Sequence, residues 1–155
     1  MRNSIEEKTL SKAKLPQLYA LQLERILARG LASSEIIELL RTSNEAELAE
    51  RVDSEVKWER LLEYAKDNWP VMESAVLDGY SFPFITIGGI KSLLAIKFLK
   101  LEGTDYRITD DRLEGLRLTE ADYNVLRSMI PPYWKFIRDD TAALPSGEVE
   151  ITISF

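Results

Sequence analysis

ITIGGIKSLL, residues 85–94, decides how the second half of this chain is read. An apolar run meets Gly88-Gly89, then Lys91-Ser92, then more apolar residues. A phosphate-binding loop of the form G-x-x-x-x-G-K-[ST] wraps backbone N–H groups around phosphate oxygens and needs glycine at two set positions. With Lys91-Ser92 as its final pair, those positions are 85 and 90, and both are isoleucine. The motif therefore fails. The stretch reads instead as a strand over Phe84–Ile87, a Gly-Gly turn and an apolar helix, since glycine marks a backbone requirement more often than a ligand. A helix start after the glycines leaves Gly89, Lys91 and Ser92 as a weak anion-binding candidate.

Downstream, IKSLLAIKFLKLEG is helical by length and apolar on nearly every side, as a core helix is; a strand over AIKFLKLE is the alternative. DYRITDDRLEGLRLT (residues 105–119) reads as a hairpin turning at Asp110-Asp111. Thr119, followed by Glu120 and Asp122, starts a helix that stops at Pro131-Pro132. VEITISF alternates Val149, Ile151, Ile153 and Phe155 with polar residues, so Glu148–Phe155 reads as a half-buried strand.

Upstream the pattern is helical. Pro16 suits a first helical position, Tyr19, Leu23, Ile26 and Leu27 follow at helical spacing, and Gly30 offers a stop. Ser33 or Ser34 can cap a second helix carrying Ile36, Ile37 and Leu40 on one face. Asn44 with Glu47 three residues on gives a capping-box-like start to a long run from Glu45 to Trp69. Its stripe shifts from Leu48, Val52 and Val56 to Trp58, Leu61, Leu62, Ala65 and Trp69. The run therefore bends near Asp53-Ser54, or two helices meet there. Pro70 ends or kinks it, and Gly79 closes a further short helix.

The expected fold is α+β and predominantly helical, with a small antiparallel sheet in the C-terminal half; an all-α fold is the alternative. The organisation is a polar lead over 1–14, a helical region over 15–79 and a mixed region over 80–155, the last two sharing one core. A chain of 155 residues, 45% apolar and 30% charged, can bury enough to order itself.

Composition removes several chemistries. The chain has no cysteine and no histidine, so disulfide frameworks, thiolate or imidazole metal sites and Ser-His-Asp triads are excluded. A general base near neutral pH would have to be a strongly shifted carboxylate or lysine. Net charge is −6, and residues 1–78 hold 11 basic against 15 acidic side chains, so neither half is basic. Nucleic acid and anionic membranes are thus disfavoured as partners. The longest apolar stretch, Phe82–Leu101, is broken by two glycines and three lysines, which argues against a membrane span. The N-terminus lacks an apolar signal core. The expected location is cytoplasmic.

ILARGLASSEIIELLR, residues 26–41, holds a Gly-Leu-x-x-x-Glu-Ile-x-x-Leu-Leu pattern over Leu27–Leu40 that resembles the scaffold helix of LuxR-type DNA-binding domains. That resemblance implies a helix-turn-helix around residues 26–57, whose next helix should offer basic or amide side chains. Here it carries Glu45, Glu47 and Glu50, which repel phosphate and suit a basic protein surface instead. Asp110-Asp111, Asp139-Asp140 and Asp105 could hold a hard cation, but they lack calcium-loop spacing and fit turns better. IPPYWKFIRDD, residues 130–140, groups Tyr133, Trp134, Phe136 and Arg138, residue types that serve both small cores and binding hot spots.

The reading is a non-enzymatic, acidic protein that binds another protein as adaptor, inhibitor or regulator, without cofactor or metal, and able to form homo-oligomers. A DNA-binding regulator and a carboxylate-metal or nucleotide-dependent enzyme are the alternatives.

Overall fold

Residues 13–139 and 147–155 are described by a computed structural model, and the chain divides into two compact units that meet in sequence at Pro83 and Phe84. The first twelve residues and residue Asp140 of the Asp139-Asp140 pair lie outside the described residues.

The first unit contains β1 (Ala13–Lys14), α1 (Gln17–Leu27), α2 (Ser33–Arg41), α3 (Glu45–Arg51), α4 (Glu59–Asp67), α5 (Trp69–Asp78) and β2 (Tyr80–Ser81). β1 and β2 pair in parallel, and Leu15 N–H donates to Ser81 O at 3.1 Å, tying the two ends of the helical run together. Leu23, Ile26, Ile36, Leu40, Leu61 and Met72 are buried at helical spacing.

The long periodic run beginning at Glu45 is two helices, not one. α3 ends at Arg51, and residues 52–58 form a loop held by specific bonds. Arg29 donates from Nε and Nη2 to Val52 O at 3.1 and 2.6 Å, and buried Trp58 donates from Nε1 to Asp53 O at 3.0 Å. Carbonyls released by the broken helix thus regain partners. Asn44 Oδ1 accepts from Glu47 N–H at 3.2 Å, the expected cap. Three boundaries differ from expectation. Pro16 sits just before α1 rather than at its first position, and Ala32, not a serine, flanks α2. There the Glu35 carboxylate reaches back to Ala32 N–H at 3.1 Å, so the cap comes from the third helical residue. Pro70 lies in the first turn of α5, where its missing N–H costs nothing.

The second unit contains α6 (Ile87–Lys97), β3 (Arg107–Thr109), β4 (Arg112–Thr119), α7 (Glu120–Met129), β5 (Lys135–Asp139) and β6 (Glu148–Ser154). The fold is therefore α+β and predominantly helical, with a four-stranded antiparallel sheet in the C-terminal half, in the order β3-β4-β6-β5. Leu113, Leu116, Leu118, Val149, Ile151 and Ile153 are buried on one sheet face, with Tyr123, Leu126 and Met129 of α7 also buried. Leu113 and Leu116 share that face although three residues apart, because the register shifts between them and Gly115, at φ 78°, absorbs the extra residue. The other face is polar, with Arg107–Glu114 and Arg117–Glu150 pairs at 3.0 and 3.3 Å. Asp110 and Asp111 both have positive φ, 51° and 61°, as the tight hairpin turn requires.

Two expectations fail here. Phe84–Ile87 is not a strand, and Gly88-Gly89 is not a turn. Thr86 is the N-cap of α6, its Oγ1 accepts from Gly89 N–H at 3.0 Å, and both glycines lie inside the helix's first turn. A side-chain cap three residues ahead outweighs the weak helix propensity of two glycines. In this unit the sequence does not announce β5, which lies within the aromatic segment 130–140; nor does it announce β1 and β2 of the first unit.

Candidate functional site

The segment 130–140 does not act as one cluster: the pleat of β5 separates its side chains. Phe136 and Arg138 register with Ile153 and Ile151, on the face that carries α7. Arg138 donates to both Glu120 oxygens at 2.6 and 2.9 Å, and its guanidinium lies 5.6 Å from the Tyr123 ring centre. Phe136 meets the same ring edge-on at 6.3 Å. Trp134 is buried and donates from Nε1 to Ile85 O at 3.0 Å. These three side chains hold the unit together.

Tyr133 is different. Its hydroxyl accepts from Ile85 N–H at 3.1 Å and donates to Ile85 O at 3.3 Å, yet 37% of the residue is exposed. Phe155, 76% exposed, stacks edge-on to it at 5.5 Å, and Phe84, 59% exposed, lies 6.3 Å away. The result is a contiguous aromatic ledge whose central ring is pinned by hydrogen bonds at its far end. Immobilising it on binding sacrifices little side-chain entropy.

Beside it, a recess of about 380 Å³ is lined by Arg127, Ile130, Pro131, Trp134, Lys135 and others. Its lining carries two cations and no carboxylate, although the chain as a whole is acidic.

The remaining candidates sit elsewhere. Gly89 N–H is occupied by the Thr86 cap, and Lys91 Nζ pairs with Glu102 at 2.8 Å, so both groups already have partners; Ser92 is half-buried on α6. Glu45, Glu47 and Glu50 lie on α3 in the first unit. Glu47 pairs with Arg51 at 3.5 Å, and Arg51 also meets Glu35 at 3.0 Å; Glu45 and Glu50 are exposed. The bond from Ala32 N–H, then that from Arg51, holds the Glu35 carboxyl below its ordinary value. Asp105 accepts from Leu101 N–H at 2.8 Å, a turn role.

Phe84 and Phe155 escaped the sequence reading because each is a single aromatic at an element's edge. Only the pairing of β5 with β6 brings Phe155 to Tyr133, forming a ledge from residues far apart in the chain. The chain matches no known protein family, no curated protein and no solved structure.

Proposed function

We propose that this chain acts without catalysis, binding another protein through the Phe84–Tyr133–Phe155 ledge as an adaptor, inhibitor or regulator. The observation that carries this reading is a contiguous exposed aromatic surface with its central ring held in place. Large aromatics in fixed positions are what binding hot spots use, and folded chains seldom leave them grouped in water. The cationic recess alongside favours a partner segment that joins an apolar side chain to a carboxylate.

The first unit lends support against the DNA-binding alternative. Arg29 and Arg51 are committed to Val52 O and to Glu35 and Glu47, and α3 begins with Glu45 and Glu47, which repel phosphate. Affinity capture from the native host tests the proposal when wild type is compared with Phe155→Ser. A defined protein retained by wild type and lost at least about tenfold by the variant, at equal thermal stability, is the expected result. Identical retained sets would overturn it. A salt-sensitive shift of duplex DNA would install the DNA-binding reading, and a thermal shift with ATP or Mg²⁺ the enzymatic one.

A further inference from the structure

β5 is an outer strand of the sheet, hydrogen-bonded to β6 on one side only among the described residues. A strand edge of this kind presents unpaired backbone donors and acceptors to whatever can add to it. Its residues are Lys135, Phe136, Ile137, Arg138 and Asp139, and Ile137 is 51% exposed.

The order of those residues is self-complementary. Lys135, Ile137 and Asp139 alternate onto the face opposite α7, because they register with Ser154, Thr152 and Glu150. A second strand of the same sequence, laid antiparallel about a two-fold axis through Ile137, sets Lys135 opposite the second copy's Asp139. It sets Asp139 opposite the second copy's Lys135, and isoleucine opposite isoleucine. On the other face Phe136 meets the second copy's Arg138, a ring opposite a guanidinium. Opposite charges directly across a strand pair stabilise it, and like charges destabilise it. An in-register parallel pairing would set lysine beside lysine, so the charges select the antiparallel arrangement. The opposite edge of the sheet, β3, has no such pattern: its three residues are Arg107, Ile108 and Thr109, with no carboxylate to receive the arginine.

We propose that the chain forms a two-fold dimer through β5, joining two four-stranded sheets into one of eight strands. The occupant of the edge is a second copy because the charge pattern of β5 is the complement of itself read backwards. Asp139 can take part whatever else it contacts, since a carboxylate accepts from several donors. A five-residue edge is a small interface, so dissociation lies at about 10–100 µM. The dimer does not depend on the ledge having a protein partner.

Sedimentation velocity of the full chain across that range tests it, using Lys135→Asp and Asp139→Lys. Wild type is expected to shift from monomer to dimer with rising concentration. Each variant alone sets like charges across the axis and weakens association about tenfold or more. An equimolar mixture of the two variants restores both opposite-charge contacts, so it returns to within about threefold of wild type. Circular dichroism confirms that each variant is folded, and Lys135→Glu with Asp139→Arg serves as a second pair should either fail to fold. A wild type that stays monomeric throughout the range overturns the proposal. So does a mixture of folded variants that remains as weak as its components, because the antiparallel two-fold requires that rescue; a Lys135→Asp or Asp139→Lys variant that associates as well as wild type overturns it too.

Discussion

Two buried tryptophans do the same thing at very different range. In the helical unit Trp58 donates its indole N–H to Asp53 O, five residues back in the chain. In the sheet unit Trp134 donates to Ile85 O across 49 residues. Both bonds are 3.0 Å, and both satisfy a main-chain carbonyl that lies outside the helices and strands. The first closes a local loop; the second joins the approach to α6 to the approach to β5, and so sets where the aromatic ledge forms. The surroundings differ accordingly. The helical unit leaves Leu18 and Leu77 as its exposed large apolar side chains among the described residues. The sheet unit leaves Phe84, Leu99, Leu101, Val125, Tyr133, Ile137 and Phe155. Exposed large apolar side chains are concentrated in the sheet unit.

Removing Trp134 has the largest expected effect. Trp134→Ala empties a buried site and strips Ile85 O of its indole donor, at a cost of about 3–5 kcal/mol in chemical denaturation. Trp134→Phe keeps much of the ring, and the Tyr133 hydroxyl still reaches Ile85 O, so about 1–2 kcal/mol is expected there. A loss in Trp134→Ala no larger than in Trp134→Phe would mean that the ring contributes little packing, erasing the contrast between the two tryptophans.

The helical unit has its own long-range bond, and this tests whether that unit is held only locally. The Tyr80 hydroxyl donates to Glu24 Oε2 at 2.6 Å, both groups buried. Tyr80→Phe leaves the carboxylate without that donor and should cost about 1.5–3 kcal/mol. Burial, then the neighbouring Glu24 carboxylate, pushes the Tyr80 hydroxyl far above its ordinary value. Its folded form thus keeps a proton that the unfolded chain releases above about pH 10. Stability is fully present below that pH and falls as pH rises beyond it, by about 1.4 kcal/mol per pH unit for one proton. Urea denaturation from pH 8 to 11 should show that fall, with a shallower slope in Tyr80→Phe. Equal slopes would remove Tyr80 from the account.

The smallest effect belongs to the segment that decides the fold. A Cβ added at Gly88 would meet nothing nearer than Thr86 Oγ1 at 3.8 Å. Gly88→Ala should therefore stabilise by about 0.5–1 kcal/mol through helix propensity. Destabilisation by the same amount would point to the turn expected from sequence, in which alanine is the poorer residue.

What could be read in advance follows the same division by range. Asn44 and Thr119 act as caps because an acceptor meets an N–H three residues away, a relation wholly within the sequence. The 106–118 hairpin was legible from two aspartates between alternating runs, and the last strand from its period of two. Its neighbour β5 was not, because Arg138 occupies the helix-covered face and breaks the apolar alternation. That position suits arginine only because Glu120 and Tyr123, on α7, receive it.

Composition and local spacing alone determined the absence of imidazole and thiol chemistry, the failure of the phosphate loop at Ile85 and Ile90, the helical first half and the existence of a C-terminal sheet. Each depends on residues a few positions apart, where chain geometry is constrained by the backbone itself. Tertiary structure decided that Tyr133 faces water while Trp134 does not, and that β5 forms an edge; the helix start at Gly88-Gly89 is local, set by the Thr86 cap. Neighbouring residues in a strand point to opposite faces, and which face is covered depends on partners brought from distant parts of the chain.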